Sequence, residues 1–279
     1  MTSPHRPSGH APTLLRFAPL QRWLHVLLFT TFIGLALTGL PLLFADAPWA
    51  SVVAHALGGF HVAGVLHRIF ATGLIVCFAT HVTYLVKKIF IEKRRDYLWG
   101  PESMVPQPRD VVELLHHVRW FLGMGERPKF DHFTYWEKFD YWAVFWGMLI
   151  IGGSGLLLWF PVLFAKVIPG WIFNIALLVH GEEALLAVAF IFTIHFFNGH
   201  LRPEKFPMDP VIFTGRISRR ELQEERPGEY ERLQKANALD ALESGLPDVL
   251  AATTGRIIGT IAVVMGLVVF GLIVYAVLG

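Results

Sequence analysis

Five stretches of this 279-residue chain are each long and apolar enough to cross a bilayer. They run approximately Trp23 to Phe44, His61 to Val86, Tyr141 to Phe164, Ile175 to Asn198 and Ile257 to Leu278. About 20 apolar residues suffice to cross as a helix. Lipid offers no hydrogen-bond partner, so the backbone of each must close its own bonds. An all-α integral membrane fold with five spans follows. Composition agrees: 54% hydrophobic against 16% charged residues, with mean hydropathy +0.49. The net charge of +2 gives no footprint of a nucleic-acid binder. The single cysteine, Cys77, lies inside the second stretch and excludes an intrachain disulfide.

Lysine and arginine set the orientation. Arg6, Arg16 and Arg22 precede the first span, ten basic residues lie between Lys87 and Lys138, and nine between Arg202 and Arg256. The two opposite loops hold only Lys166, with Arg68 just inside span two. This predicts a cytoplasmic N-terminus and a C-terminus on the outer side. The first 15 residues lack the apolar core of a signal peptide and read as a flexible cytosolic tail. Residues 87–138 suggest short helices broken by prolines. In 202–255 a charged helix is predicted from Ser218, with Glu221 at capping-box spacing. No internal repeat is apparent. The expected organisation is a tail (1–20), a four-helix domain (21–216), a charged linker helix (217–255) and a fifth span (256–279).

Ionisable side chains in a bilayer are costly and mark functional positions. His25, His67, His81, His180 and His195 all lie in the spans. His67 and His81 are 14 residues apart, His180 and His195 15, so each pair returns to one helix face about 21 Å apart. This suits two flat cofactors stacked across a membrane and clamped by imidazoles, for which haem b fits. The absence of C-x-x-C-H excludes c-type attachment. Depth pairs His67 with His180 at an outer site. The inner site has three candidates, His25, His81 and His195, with His195 favoured by its shared face with His180. His61 and His200, at helix ends, suit interfacial or quinone-site roles. His55, His116, His117 and His132 fall in loops or near headgroups and read as ordinary, and His5 and His10 belong to the tail.

Further residues carry plainer expectations. Glu137, Lys138 and Asp140, before span three, could serve a quinone head group and its protons, with Tyr84, Asn198 and His200 nearby. Arg68 could pair with a propionate of an outer haem. Gly152, Gly153, Ser154 and Gly155 permit close approach of a helix or a ring. Glu182 and Glu183 are expected at the outer end of span four, capping it, orienting His180 or attracting a positively charged cytochrome.

The runs FDHFTYWEKFDYWAVFW (Phe130 to Trp146), QRWLHVLLFTTFIGLALTGLPL, LHRIFATGLIVCFATHVTYL and HGEEALLAVAFIFTIHFFNGHLRPEKFPMD resemble a bacterial membrane dihaem cytochrome b family. That family includes the formate dehydrogenase gamma subunit and the Ni-Fe hydrogenase cytochrome b. The resemblance covers roughly residues 16–216 and extends to a branch paired with multihaem cytochromes c and with thiosulfate-reductase-like systems. It implies a four-helix haem-binding bundle with two haems b, quinone as exchangeable substrate, and a periplasmic multihaem cytochrome c or other periplasmic redox subunit as partner. Its ligand pattern falls on His25, His67, His180 and His195. His81 departs from that pattern and leaves the fourth ligand open between His25 and itself. A third haem would need His61 or His200 as well.

Overall fold

The computed structural model describes residues 13–202, 205–206, 208–245 and 249–278. Most of the expected tail, with His5, Arg6 and His10, lies outside the described residues, as do positions 203, 204, 207 and 246–248. Among the described residues five helices are long and apolar enough to cross a membrane. They are Pro19–Leu43, Phe60–Ile91, Tyr135–Trp159, Trp171–Leu201 and Val249–Ala276, spans one to five below. The chain is a mostly helical, multi-pass membrane protein.

The helix starts follow local chemistry. Proline at the first turn begins span one and the helices Pro48–Ala56, Pro108–Phe121 and Pro227–Lys235, where its missing N–H leaves no bond unmade. Span three starts earlier than its apolar run. Thr134 caps it by accepting from the Glu137 amide at 3.4 Å, and Glu137 returns the bond to the Thr134 amide at 2.8 Å. Span four also starts earlier than expected, at Trp171. Glu182 and Glu183 therefore lie about 17 Å along that helix. They are not at its solvated end, and Glu183 accepts a bond from Trp146 Nε1 at 3.2 Å.

Spans one and two pack along each other where glycines let side chains in: Phe70 sits over Gly34 and the His67 ring over Gly39. Spans three and four pack similarly, with the His180 ring over Gly155. The two pairs touch each other far less than their members do. Span five closes one side. Its Ala262, Val269 and Ile273 share a core with Ala36 and Leu40 of span one and Phe192 of span four.

Outside the spans the chain departs from expectation. Thr13–Leu15 is a strand (β1), not a loose tail, and pairs antiparallel with Arg216–Ser218 (β2) and Glu243–Ser244 (β3). The resulting order is β2-β1-β3. Leu14, Ile217, Leu222, Leu233 and Leu239 form a small core beside it. The expected linker helix is two helices, Arg219–Glu225 and Pro227–Lys235. Ser218 does cap the first, accepting from the Glu221 amide at 3.1 Å. Pro227 ends it, because a residue before proline is pushed out of the helical region and Arg226 sits at φ −129°, ψ 56°.

Candidate functional site

His67 and His180, the pair expected at the outer site, meet between the two helix pairs. The His67 and His180 rings, on spans two and four, face each other with centroids 6.3 Å apart. Each is tethered through Nδ1 by its own helix pair. His67 Nδ1 donates to Thr38 Oγ1 at 3.0 Å, and that hydroxyl donates onward to the Gly34 carbonyl at 2.7 Å. His180 Nδ1 donates to the Ile151 carbonyl at 2.9 Å, with Ser154 Oγ 3.3 Å away. Ile151 lies in a π-helical turn, Met148–Gly152, whose i→i+5 pattern alters the carbonyl pairing of the helix. Thr38-Gly39-Leu40 and Ser154-Gly155-Leu156 thus do the same work in the two helix pairs. This local correspondence is too short and too degenerate to register as a repeat in the sequence.

With Nδ1 committed on both rings, Nε2 is the nitrogen left to bind a metal, the arrangement that fixes tautomer and orientation in histidine metal sites. Two metal–nitrogen bonds of about 2 Å plus the two ring radii match the observed centroid separation. The residues fit a metal-centred ring clamped between two imidazoles. Arg68, beside His67, lies over the Trp159 ring at 6.0 Å.

At the basic-loop end of the spans the structure gathers His25, His195 and His200. His195 Nδ1 donates to Asp140 Oδ2 at 3.0 Å, again leaving Nε2. His25 is buried among Phe29 and Phe213, and its Nδ1 has no hydrogen-bond partner among the described residues. His200 Nδ1 and Asp140 Oδ1 are also buried without partners. His81 stands apart from this group: its Nε2 is bonded to the Tyr141 hydroxyl at 2.9 Å and its ring packs on Phe145. His200 joins the cluster because span four winds as π-helix over Ile191–His195 and Phe197–Leu201. At that pitch residues five apart share a face; a 3.6-residue period carries no trace of it.

Two of the expected quinone-handling residues have other work. Lys138 is 1% exposed and its Nζ bonds both oxygens of Asp110, at 2.8 and 2.9 Å. Glu137 caps span three and takes a two-pronged ion pair from Arg226 at 2.7 and 2.8 Å. Asp140 alone of the three reaches the histidine cluster. Tyr84 is bonded to Tyr97. His132 pairs with Glu229, and His117 donates to or accepts from the Tyr135 hydroxyl at 3.0 Å within an aromatic cluster, so neither is a plain loop residue. Asp209, Glu221 and Glu225 converge closely enough for a cation, but Lys205 Nζ already sits among them at 2.5–2.8 Å.

Five helices long and apolar enough to cross a membrane, with His67 facing His180 and each tethered through Nδ1, mark a multi-pass membrane protein whose residues fit a ring-shaped metal cofactor. No family model matches the chain. It is 21% identical over 236 residues to the formate dehydrogenase, nitrate-inducible, cytochrome b556(Fdn) subunit of Escherichia coli strain K12, covering 84% of this chain and 97% of that protein. The corresponding subunits of Escherichia coli O157:H7 and Shigella flexneri match equally. The similarity supports a membrane cytochrome b family.

Proposed function

We propose that the chain is a membrane cytochrome b carrying two haems b, which passes electrons between the quinone pool and a redox partner across the membrane. The observation that carries this reading is the presence of two imidazole groups, at two depths of one bundle, with Nδ1 of His67, His180 and His195 tethered and Nε2 free. In this reading His67 and His180 hold the outer haem, and His195 and His25 the inner one. The Tyr141 bond on His81 Nε2 favours His25 as the fourth ligand, with His81 as a neighbour. Haem b held by two imidazoles supplies one-electron transfer with no open iron position.

The chain's own residues do the rest. Thr38 and the Ile151 carbonyl keep two imidazoles in the tautomer that presents Nε2, and Asp140 does so for His195 with a full charge. Arg68 offers a guanidinium to an anionic substituent of the outer ring. Near the inner site, His200 and the free Oδ1 of Asp140 are the groups available to a quinone head and its protons. Glu137 and Lys138 support that site from behind through their ion pairs.

The positive-inside distribution supports an inner-membrane topology with the N-terminus cytoplasmic and the C-terminus periplasmic. The bundle domain would span residues 21–216, and 217–255 with β1 would form a cytoplasmic cap. The partner in this reading is a periplasmic redox protein, a multihaem cytochrome c as the sequence resemblance implies. A second reading follows from the name of the similar proteins: anchor and electron-transfer subunit of a formate dehydrogenase-type enzyme. A reading from another class is a haem-free anchor or proton-coupled transporter whose histidines line a proton path.

A pyridine haemochrome assay on the purified chain tests the proposal. About two haems b per polypeptide are expected, and about three would bring His81 in as a ligand beside His25. None, from a folded preparation supplied with haem, overturns the cytochrome reading. In His195→Ala the inner spectral component is lost and the outer kept.

A further inference from the structure

The Pro108–Phe121 helix, between spans two and three, is built inside out for a water-exposed helix. Its inward face is polar. Asp110 takes the Lys138 ion pair and His117 bonds Tyr135, both buried, with Glu113 between them at i+3. Its outward stripe is apolar, with Val111 58%, Leu115 57%, Val118 45% and Phe121 70% exposed, followed by Leu122 at 65%. These positions recur at three- and four-residue steps and lie on one side of the helix. None of the described residues covers them, because the side turned toward the rest of the fold is the one already used. A contiguous apolar stripe of this kind marks an interaction surface.

What covers the stripe follows from where it sits. Fourteen residues make a helix of about 21 Å, too short to cross a bilayer. Its first turn is tied to span three by the Asp110–Lys138 pair, and the linking loop 98–107 is held to span three by Trp142 Nε1 bonded to the Met104 carbonyl at 3.0 Å. Exposed apolar side chains also stand at the end of span two, Phe90 and Ile91, and on span three, Phe139, in helices long and apolar enough to cross a membrane. Arg119 projects from the helix beside the stripe, so a cation borders the apolar band. An apolar stripe with a basic residue beside it, on a short helix linked at both ends to membrane-crossing helices, is the pattern of an interfacial anchor.

We propose that the Pro108–Phe121 helix is an in-plane membrane anchor whose Val111–Leu115–Val118–Leu122 stripe lies in the lipid leaflet on the side of the basic loops. The anchor fixes Asp110 at the membrane surface, and through Lys138 it holds the first turn of span three at a set depth. This inference stands on the helix geometry and not on a bound cofactor.

The test uses the full chain carrying Cys77→Ser, with one nitroxide label introduced at Leu115→Cys and, separately, at Arg119→Cys. Both are reconstituted into vesicles of phosphatidylethanolamine and phosphatidylglycerol, and collisions with oxygen and with a water-soluble nickel chelate are compared. The expected result is an oxygen-to-nickel ratio severalfold higher at 115 than at 119. Equal, aqueous ratios at both positions would overturn the proposal, since the stripe would then face water. Protection of position 115 from both reagents would also overturn it, since protein, such as a second copy, would then cover the stripe. Val118→Cys, one turn on, replaces Leu115→Cys if that variant does not fold.

Discussion

Asp140 is the residue whose chemistry sets the two histidine groups apart. At the outer group the Nδ1 partners of His67 and His180 are a hydroxyl and a backbone carbonyl, both neutral. At the inner group the Nδ1 partner of His195 is a carboxylate. A charge-assisted bond is about twice as strong as a neutral one and pushes electron density onto the imidazole, which favours the oxidised state of a metal bound at Nε2. If the two histidine groups hold haems as proposed, Asp140→Asn is expected to raise the midpoint potential of the inner haem by on the order of 60 mV, a tenfold change for one electron. The outer haem should be unmoved. Thr38→Val should do the converse, weakening outer-haem retention about 10- to 100-fold with the inner potential unchanged. Redox titration followed in the visible bands checks both, and a shift of both haems together in either variant would contradict the assignment. In the sequence the histidines stand out because they are costly in lipid. Thr38 does not, since a threonine in a span is most often bonded to its own helix, as this one also is.

The elements were legible to different degrees, for physical reasons. All five spans are readable from hydropathy alone, because burial in lipid demands an apolar run whatever the helix packs against. Their starts were not: span three begins at Tyr135 and contains Glu137, Lys138 and Asp140, whose partners Arg226, Asp110 and His195 come from distant segments. Hydropathy counts these side chains as solvent-facing, whereas ion pairing lets them sit inside the helix. π-Helical winding was equally silent in the sequence, and it is what brings His200 beside His195. The placement of span five, by contrast, rests on shape. A Cβ at Gly266 would lie 2.3 Å from the ring of Phe192, which is itself 7% exposed in the core. Gly266→Val should force that ring or the span to move and destabilise the protein by about 1–3 kcal/mol. A lower midpoint of thermal unfolding in detergent, with haem still bound at low temperature, is the expected signature. An unchanged midpoint would mean that span five is only loosely attached.

At the scale of the whole molecule, the segments outside the spans act as one clamp. β1 brings Arg16 to Glu229 of the Pro227–Lys235 helix at 2.9 Å, and Glu229 also pairs with His132 of the loop leading into span three. Next to this, Arg226 holds Glu137 inside span three. Three segments far apart in sequence are thereby tied to the helix that carries Asp140. The sequence offered only a charged linker, because ion pairs between positions 16, 132 and 229 follow no local period. Burial alone would push the Glu229 carboxyl up, but His132 and Arg16 outweigh it and bring it down to about 2. A carboxylate with a depressed pKa contributes stability that is fully present above its unfolded value of about 4.3 and is lost as pH falls toward the folded value. The clamp should thus hold at neutral pH and loosen between roughly pH 4.3 and 2. Arg16→Met removes one of the two cations and leaves a nearly enclosed carboxylate short of a partner. Loosening in that variant should therefore begin at higher pH than in the parent chain. Hydrogen exchange of the paired amides of β1 and β2, followed against pH, measures this directly. If the two chains lost protection at the same pH, the Arg16–Glu229 pair would be a surface contact of no consequence, and the cap would be held by its small apolar core around Leu14 alone.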